Sequence, residues 1–564
     1  MPHAALAARI AAQLLRRSPI AGQPALQAHH MPRLQNALEA RIAAGKPLSL
    51  LLPAFPHKSP NRRLAASALP DYGEYLALLA LDQLCRDIQQ CYPPGCRLRV
   101  FSDGLTFHDL LGVSRAEANA YHRALRRLLA SPLIEWLDYA SIEPAFSRQT
   151  GRAEEVLRAY LPPDSQDFAQ PLPAKDARRE RAWQALLAAE TGRQPDPLAA
   201  RRLAWRGLAL DAMLAERYPD AIRLSIHEPA PEGGKFPIAL ADDAGLPWRG
   251  ACRLDQTGAP HTGPAGELAG STQTIWREAQ PWLFMAADEG VWNDCRLSVM
   301  GGGRFGLLIE SLRPGLRCGQ LPPSRLEQLA QRFGFVVLRG FEVGDEAQLL
   351  DFTRPFGTPY VWPFGPVHKV RPEEQASGFV HSFEKLPLHW DLSMLPLDNP
   401  HVRADRLFSA RLFALHCKAA PLPSEGQTTL VDARNLLREQ LPETVARWRG
   451  LTLRYHTKFT YFGGDARDYP LIARHPRGGE EVLRFQEGSE SALQTFSVEV
   501  LNPAPGDETL VETLLAAAYA PSNLIAHAWQ DGDLALIDNY HCLHGRLAMS
   551  PASARRELWR VQTY

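Results

Sequence analysis

No stretch of this 564-residue chain approaches the ~18 consecutive apolar residues that a membrane-spanning helix requires, so no membrane association is expected. Net charge is lacking too, since 62 Lys and Arg offset 62 Asp and Glu. No basic stripe is visible, which argues against nucleic acid as a partner. The eight cysteines contain no Cys-x-x-Cys pair and follow no regular spacing. That pattern gives no disulfide framework and reads as reduced thiols in a cytoplasmic protein. Internal repeats and low-complexity tracts are absent, as is the apolar core of a secretory signal. Acidic residues are missing from the start of the chain, where the first is Glu39, while Arg9, Arg16 and Arg17 lie among Ala, Leu and Ile. An organelle transit peptide has that composition. An amphipathic first helix has it as well, and is the reading preferred here.

What is present has to fill more than one domain, because single cores rarely grow past about 250–300 residues. The first half alternates strand and helix. Leu48-Ser49-Leu50-Leu51-Leu52 is a short apolar run, as expected for a strand buried on both faces. Asp71 and Glu74 then mark a helix start, and Tyr75, Leu78, Leu81, Leu84 and Ile88 give that helix a broad apolar stripe. Leu98-Arg99-Val100-Phe101 is a second strand, Ser114 and Glu117 open another helix, and a charged helical stretch runs near 173–217. Ile222-Arg223-Leu224-Ser225-Ile226-His227 alternates as a third strand. An open, Rossmann-like α/β domain is expected over 1–300, with a flexible joint at Gly301-Gly302-Gly303-Arg304 and a second domain over 304–564.

Each of the three strands ends in a polar signature, and open α/β sheets bind ligands at the carboxyl ends of their strands. Lys58, Ser59, Asn61 and Arg62 follow the first and suit a phosphate. Asp103 follows the second and His227 the third, adding acid and base groups. A solvated loop accounts equally for Lys58 and Arg62, a turn for Asp103 before Gly104, and a strand-end core position for His227.

The second half carries His389-Trp390-Asp391, then Asp538-Asn539-Tyr540-His541-Cys542-Leu543-His544-Gly545-Arg546, then Arg555-Arg556-Glu557-Leu558-Trp559-Arg560. Two imidazoles and a carboxylate on one face hold ferrous iron and leave positions open. In an extended segment residues i and i+2 point the same way, so His389 and Asp391 can share a metal. His544 is the third ligand expected, with His541 as its rival. A guanidinium matches a carboxylate in two-point geometry. Arg556 is therefore the expected clamp for 2-oxoglutarate, and Arg560, on the same face if the tail is a strand, is the other candidate.

These residues resemble the TauD/TfdA family of 2-oxoglutarate dioxygenases over roughly 305–564, together with Phe335-Val336-Val337-Leu338-Arg339-Gly340-Phe341, Phe356-Gly357 and Gly426-Gln427-Thr428-Thr429-Leu430. The resemblance implies a double-stranded β-helix (jelly roll), Fe(II), 2-oxoglutarate and O2, and a co-substrate contact from Thr429. Gln427 stands where the family usually has a second Gly. Over roughly 30–260, the motifs Leu52-Pro53-Ala54-Phe55-Pro56-His57-Lys58-Ser59-Pro60-Asn61, Leu69-Pro70-Asp71, Phe101-Ser102-Asp103-Gly104, Asp109-Leu110-Leu111-Gly112-Val113 and Arg223-Leu224-Ser225-Ile226-His227 are similar to the PvcA-like isocyanide synthases. That similarity implies condensation of an aromatic amino acid, Trp or Tyr, with ribulose 5-phosphate. The two resemblances together imply a fused pair of enzymes making and then oxidising an amino-acid isocyanide to a vinyl isocyanide. Its partners are then small molecules, and an oligomer is open. The alternative is a 2-oxoglutarate-dependent amino-acid hydroxylase whose first half only binds.

Overall fold

A computed structural model describes every residue except 1–2, 103, 163–164, 166, 193, 195, 228–233, 242–244, 269–271, 288–289, 304, 377, 396–398, 402–408, 458–465 and 494. The chain divides into two compact units, Met1–Thr272 with Gln280–Ala286, and Gln273–Ala279 with Ala287–Tyr564.

In the first unit β1 (Leu48–Ala54), β2 (Cys96–Ser102), β3 (Ile134–Leu137), β4 (Ile222–Ser225) and β5 (Phe236–Pro237) form a sheet of order β3-β2-β1-β4-β5. Every pairing in it is parallel. A central parallel strand is covered on both faces, which explains why β1 is an apolar run: Leu48, Leu50, Leu51 and Leu52 are all buried. The helix Tyr72–Cys91 leads from β1 to β2 and is opened as expected, by Asp71 accepting from Gly73 N while Glu74 accepts from Asp71 N. Ser114 and Glu117 open Arg115–Arg126 in the same way. The stretch near 173–217 is two helices, Ala177–Thr191 and Pro197–Arg217. The first helix, His3–Arg16, buries Ala7, Ile10, Ala11 and Leu14 on one side, so the amphipathic reading holds. Parallel pairing puts the carboxyl ends of β1, β2 and β4 at one edge of the sheet.

Three more strands of this unit, β6 (Ala251–Leu254), β7 (Pro260–Gly263) and β9 (Gln280–Ala286), pair around β6. Between them in sequence, β8 (Thr272–Arg277) lies almost wholly in the second unit. The division therefore falls at residues 272–287, earlier than the glycine triplet. The triplet is not a joint. It closes a hairpin in which β10 (Cys295–Val299) pairs antiparallel with β11 (Leu307–Ser311), Val299 opposite Leu307, and Gly301 supplies the left-handed turn at φ 61°. Arg304 lies outside the described residues.

The second unit is built on two sheets. In the larger, β8, β10 and β11 are followed by β12 (Phe335–Arg339), then by β23 (Leu534–Asp538), β15 (Leu412–Ala419), β25 (Glu557–Thr563) and β13 (His368–Val370). The smaller has the order β14 (Leu386–His389), β24 (Cys542–Arg546), β16 (Thr428–Asp432), β22 (Leu524–His527), all antiparallel. Phe335, Phe413, Leu415, Leu430, Ala535, Ile537 and Cys542 from both sheets share one buried core. Outside it, β17 (Thr452–Thr457), β18 (Arg467–Pro470) and β21 (Phe496–Val500) make a third sheet, and β19 (Ile472–Arg474) pairs with β20 (Glu481–Leu483). The larger sheet is antiparallel from β12 through β23, β15 and β25 to β13, with parallel pairings of β8 with β10 and of β11 with β12. Two sheets sharing a core and built from strands distant in sequence are the jelly-roll arrangement expected for this half.

Candidate functional site

Strand β14 runs antiparallel to β24 with His389 directly opposite His544. Directly opposed residues bring their side chains within about 4.5–5.5 Å at Cβ. The two imidazole centroids are 4.3 Å apart. The close approach depends on Gly545, where a Cβ would lie 2.6 Å from the Leu386 carbonyl oxygen. Asp391 completes the group: its Oδ1 is 3.7 Å from His389 Nε2 and 3.5 Å from His544 Nε2. One ligand atom from each of the three lies within 4.8 Å of the others. Asp391 is not on the strand, however. β14 ends at His389, and Asp391 starts a turn whose next residue, Leu392, has φ 62°.

The chemistry of the donors fits a divalent iron. His389 Nδ1 donates to the Pro387 carbonyl at 2.8 Å, which leaves the Nε2 lone pair facing Asp391. Asp391 Oδ2 and His544 Nδ1 are buried without a partner among the described residues. Burial opposes the charge of Asp391, but Arg560 and both imidazoles outweigh it and hold the carboxyl well below its usual range. Burial, with His389 beside it, pushes His544 down to about 4, so it stands as a neutral ligand at ordinary pH. Two imidazoles and one carboxylate, deprotonated and convergent, make the 2-His-1-carboxylate face.

Arg556 sits just before β25 and is 2% exposed, yet its Nε and Nη1 have no partner among the described residues. Burial, with Arg546 nearby, pulls it down to about 9. A buried guanidinium with idle donors calls for an anion, and a carboxylate is the geometric match. Gly426 makes room, since a Cβ there would meet Arg556 Cδ at 3.2 Å. Thr429 is buried on β16 opposite Gly545, where a Cβ would lie 3.0 Å from the Thr429 hydroxyl. Arg560 is engaged differently. Its Nη1 donates to Asp391 Oδ1 at 3.2 Å and its Nη2 meets His368 Nδ1 at 2.9 Å. Of the two arginines, only Arg556 lacks a carboxylate partner among the described residues.

His541 belongs to a different cluster with His475 and Asp538. Nδ1 of His475 accepts from Arg477 N and Gly478 N at 3.2 Å each, so its proton is on Nε2, donated to Asp538 Oδ2 at 3.0 Å. A ring so arranged has no lone pair left for a metal. The cluster pins the Asp538–His541 turn, in which Asp538 Oδ1 accepts from Tyr540 N and His541 N.

At the edge of the first unit's sheet the expected residues are occupied by the protein itself. Lys58 is buried with Nζ 2.8 Å from Asp71 and 2.9 Å from Glu74, and it donates to the carbonyls of Pro247 and Gly250. It is not the solvated loop residue of the rival reading, since it is buried against two acids. The Ser59 hydroxyl donates to Glu190. Asn61 donates to the Ala189 carbonyl at 2.8 Å, and Arg62 to those of Ser59 and Ser67. His227 is exposed just past β4. Asp103 lies outside the described residues. The sequence reading passed over His57. It is buried, its Nδ1 donates to the Lys58 carbonyl at 3.0 Å, its Nε2 has no partner, and burial lowers it to about 4. It lines a small cleft of about 20 Å³ with Lys58, Pro60, Arg62, Val113 and Glu117. Position in the motif beside Lys58 was the one available signal.

Comparison with known proteins matches both halves. Residues 319–562 match the taurine catabolism dioxygenase TauD, TfdA family, and residues 38–192 and 175–275 match the pyoverdine/dityrosine biosynthesis protein family. The tyrosine isonitrile desaturase of Pseudomonas aeruginosa is 32% identical over 46% of this chain and 88% of its own length. The L-tyrosine isonitrile synthase of the same organism is 32% identical over 43% of this chain and 83% of its own. The chain belongs to both families, a PvcA-like isocyanide synthase domain followed by a TauD/TfdA domain. Isocyanide synthase A of Aspergillus fumigatus is 26% identical across 94% of this chain and 93% of its own length, so the similarity runs through both domains at once. The synthase domain thus contains the cleft at His57, and the TauD/TfdA domain the His389, Asp391, His544 face.

Proposed function

We propose that this chain makes an isocyanide and then oxidises it. The synthase domain condenses an aromatic L-amino acid, Trp or Tyr, with ribulose 5-phosphate to give the amino-acid isocyanide. The TauD/TfdA domain uses Fe(II), 2-oxoglutarate and O2 to convert it to a vinyl isocyanide. The observation that carries the oxidative half is the pairing of a convergent His389, Asp391, His544 face with a buried, unpartnered Arg556.

A ferrous ion held by those three residues supplies open positions at which O2 is reduced at the expense of 2-oxoglutarate and substrate. The chain does the rest. His389 and His544 present neutral nitrogens. Arg556 takes the far carboxylate of 2-oxoglutarate, with Thr429 beside it, and so fixes the co-substrate's direction. Arg560, tied to Asp391, orients that carboxylate and stands next to any carboxylate of the isocyanide. In the synthase domain, Asp103 and His227 follow strands that end at the same edge as β1, suited to proton transfer during imine formation and carbon–carbon cleavage. Lys58 acts there only if substrate displaces Asp71 or Glu74; Arg62 and His57 face the cleft, Arg62 suited to the phosphate.

The test is incubation of the purified protein with each aromatic amino acid and ribulose 5-phosphate, with and without Fe(II) and 2-oxoglutarate, read by mass spectrometry. An isocyanide without iron, and an alkene only with iron and 2-oxoglutarate, is the expected result. Oxidation of the free amino acid with no isocyanide from either substrate overturns the reading in favour of a hydroxylase with a binding domain. Asp103→Ala or His227→Ala protein that still makes isocyanide at the full rate removes that residue from the scheme.

A further inference from the structure

Asp391 is the one proposed ligand without a strand to hold it. His389 ends β14 and His544 is central in β24, so sheet hydrogen bonds fix both backbones. The backbone of Asp391 is held by a side chain instead. Asn539 Oδ1 accepts from Asp391 N at 2.8 Å, and Asn539 Nδ2 donates to the Asp391 carbonyl at 3.2 Å. One amide thus stands in for a neighbouring strand. The need for it is plain from the next residue, because Leu392 at φ 62° lies in the left-handed region that L side chains avoid and stays there only if its surroundings insist.

Asn539 is in turn fully buried and fully committed. Its Nδ2 also lies 2.9 Å from Ser409 Oγ and 2.8 Å from the Ala410 carbonyl. Its own carbonyl accepts from Arg484 Nη1 at 2.9 Å, while Arg484 Nη2 donates to Ser409 Oγ at 2.8 Å. Arg484 pairs with no carboxylate among the described residues. Its guanidinium carbon is instead 4.6 Å from the Trp390 ring centroid and 4.3 Å from that of Tyr540. Trp390 is the residue between His389 and Asp391, and Tyr540 follows Asn539. A buried cation without an acid partner costs several kcal/mol to desolvate, a cost met here by two aromatic faces and two hydrogen bonds. The assembly closes on two consecutive residues, Trp390 through its ring and Asp391 through its backbone.

We propose that Asn539, locked by Arg484 and Ser409, is the positioning residue that fixes the Asp391 carboxylate, so that this buried amide sets the affinity of the site for its metal. The inference rests on the iron reading above and adds to it a residue that touches neither metal nor substrate. Partners of this kind typically change metal affinity 10–100-fold.

The test uses the full chain, freed of metal and titrated anaerobically with Co(II), whose visible absorption reports the bound ion. A parallel titration with Fe(II) and 2-oxoglutarate follows their joint charge-transfer band. Asn539→Ala should retain the unfolding temperature to within a few degrees, weaken Co(II) about 10–100-fold, and raise the 2-oxoglutarate consumed per substrate oxidised. Arg484→Lys, which keeps the charge but loses the two-pronged grip, should fall between it and the native protein. Native Co(II) affinity in folded Asn539→Ala overturns the proposal. Should that variant unfold, the isosteric Asn539→Asp decides in its place: it keeps the acceptor for Asp391 N but loses the donor, and native affinity there overturns the proposal equally. A native protein that binds neither Co(II) nor Fe(II) sinks the parent reading instead, a result distinguishable because it appears before any substitution.

Discussion

The two domains hold their candidate residues in opposite states. In the TauD/TfdA domain several buried polar atoms of the candidate residues have no partner among the described residues: Asp391 Oδ2, His544 Nδ1, and Nε and Nη1 of Arg556. In the synthase domain the residues picked from the motif are spent on the protein, Lys58 on two carboxylates and Ser59, Asn61 and Arg62 on a glutamate and on backbone carbonyls. A buried polar group without a partner costs free energy that only a ligand or water can return. The TauD/TfdA residues therefore call for a ligand, whereas Lys58, Ser59, Asn61 and Arg62 of the synthase domain are held by the protein itself. The sharpest way to break this contrast is His389→Ala. Oxidation should fall at least a thousandfold while isocyanide formation continues, so the saturated isocyanide accumulates. Undiminished alkene in the product analysis would remove His389 from the metal.

Lys58 tests the other side. With Asp71 and Glu74 it makes one buried cation facing two acids, and burial pushes the Glu74 carboxyl up against the pull of Lys58. Lys58→Met strands both acids and should destabilise the synthase domain by about 3–5 kcal/mol. Glu74→Gln should cost far less, since the remaining pair is balanced. Denaturant unfolding of the two variants compares them directly. Equal losses would mean that Lys58 is not neutralised as described and that the contrast between the domains is overdrawn. For Arg556→Met, the expected effect is a rise of about ten- to a hundredfold in KM for 2-oxoglutarate, from loss of a charge-assisted pair. An unchanged KM, with Arg560→Met raising it instead, would exchange the two roles.

Much of this was legible in the residues. Capping boxes at Asp71 and Ser114 and the apolar run at β1 depend on neighbours in sequence, and all formed as read. His389 and His544 were legible from their motifs, His-x-Asp and His-Gly-Arg; the strand alternation expected to join His389 to Asp391 does not hold, because β14 ends at His389. Three things were not legible. The place where the units part depends on the pairing of β10 with β11, and a glycine triplet serves a hairpin as well as a linker. The burial of Lys58 depends on Asp71, Glu74, Pro247 and Gly250, which no local pattern joins to it. Arg484 had no signal at all: it meets Trp390 and Asn539 only through the fold. Asn539 had a faint one, as the second residue of an Asp-Asn turn that follows a strand.

The smallest effect concerns the cluster behind Asn539. Asp538 is fully buried, and burial opposes its charge, yet His541 and His475 hold its carboxyl down to about 2. An unfolded aspartate titrates near 3.9, so the folded group is the stronger acid. Its contribution is then complete above about pH 4 and is lost as the pH falls toward 2, because only the unfolded state takes up the proton early in that window. The shift is worth about 2 kcal/mol. Asp538→Asn keeps the shape but cannot ionise. Unfolding of the TauD/TfdA domain should therefore separate variant from native protein by about 2 kcal/mol at pH 5, with the gap closing as the pH approaches 2. A gap that stays constant across that range would mean that Asp538 acts through packing alone, and that the turn carrying Asn539 owes its rigidity to hydrogen bonds rather than to charge.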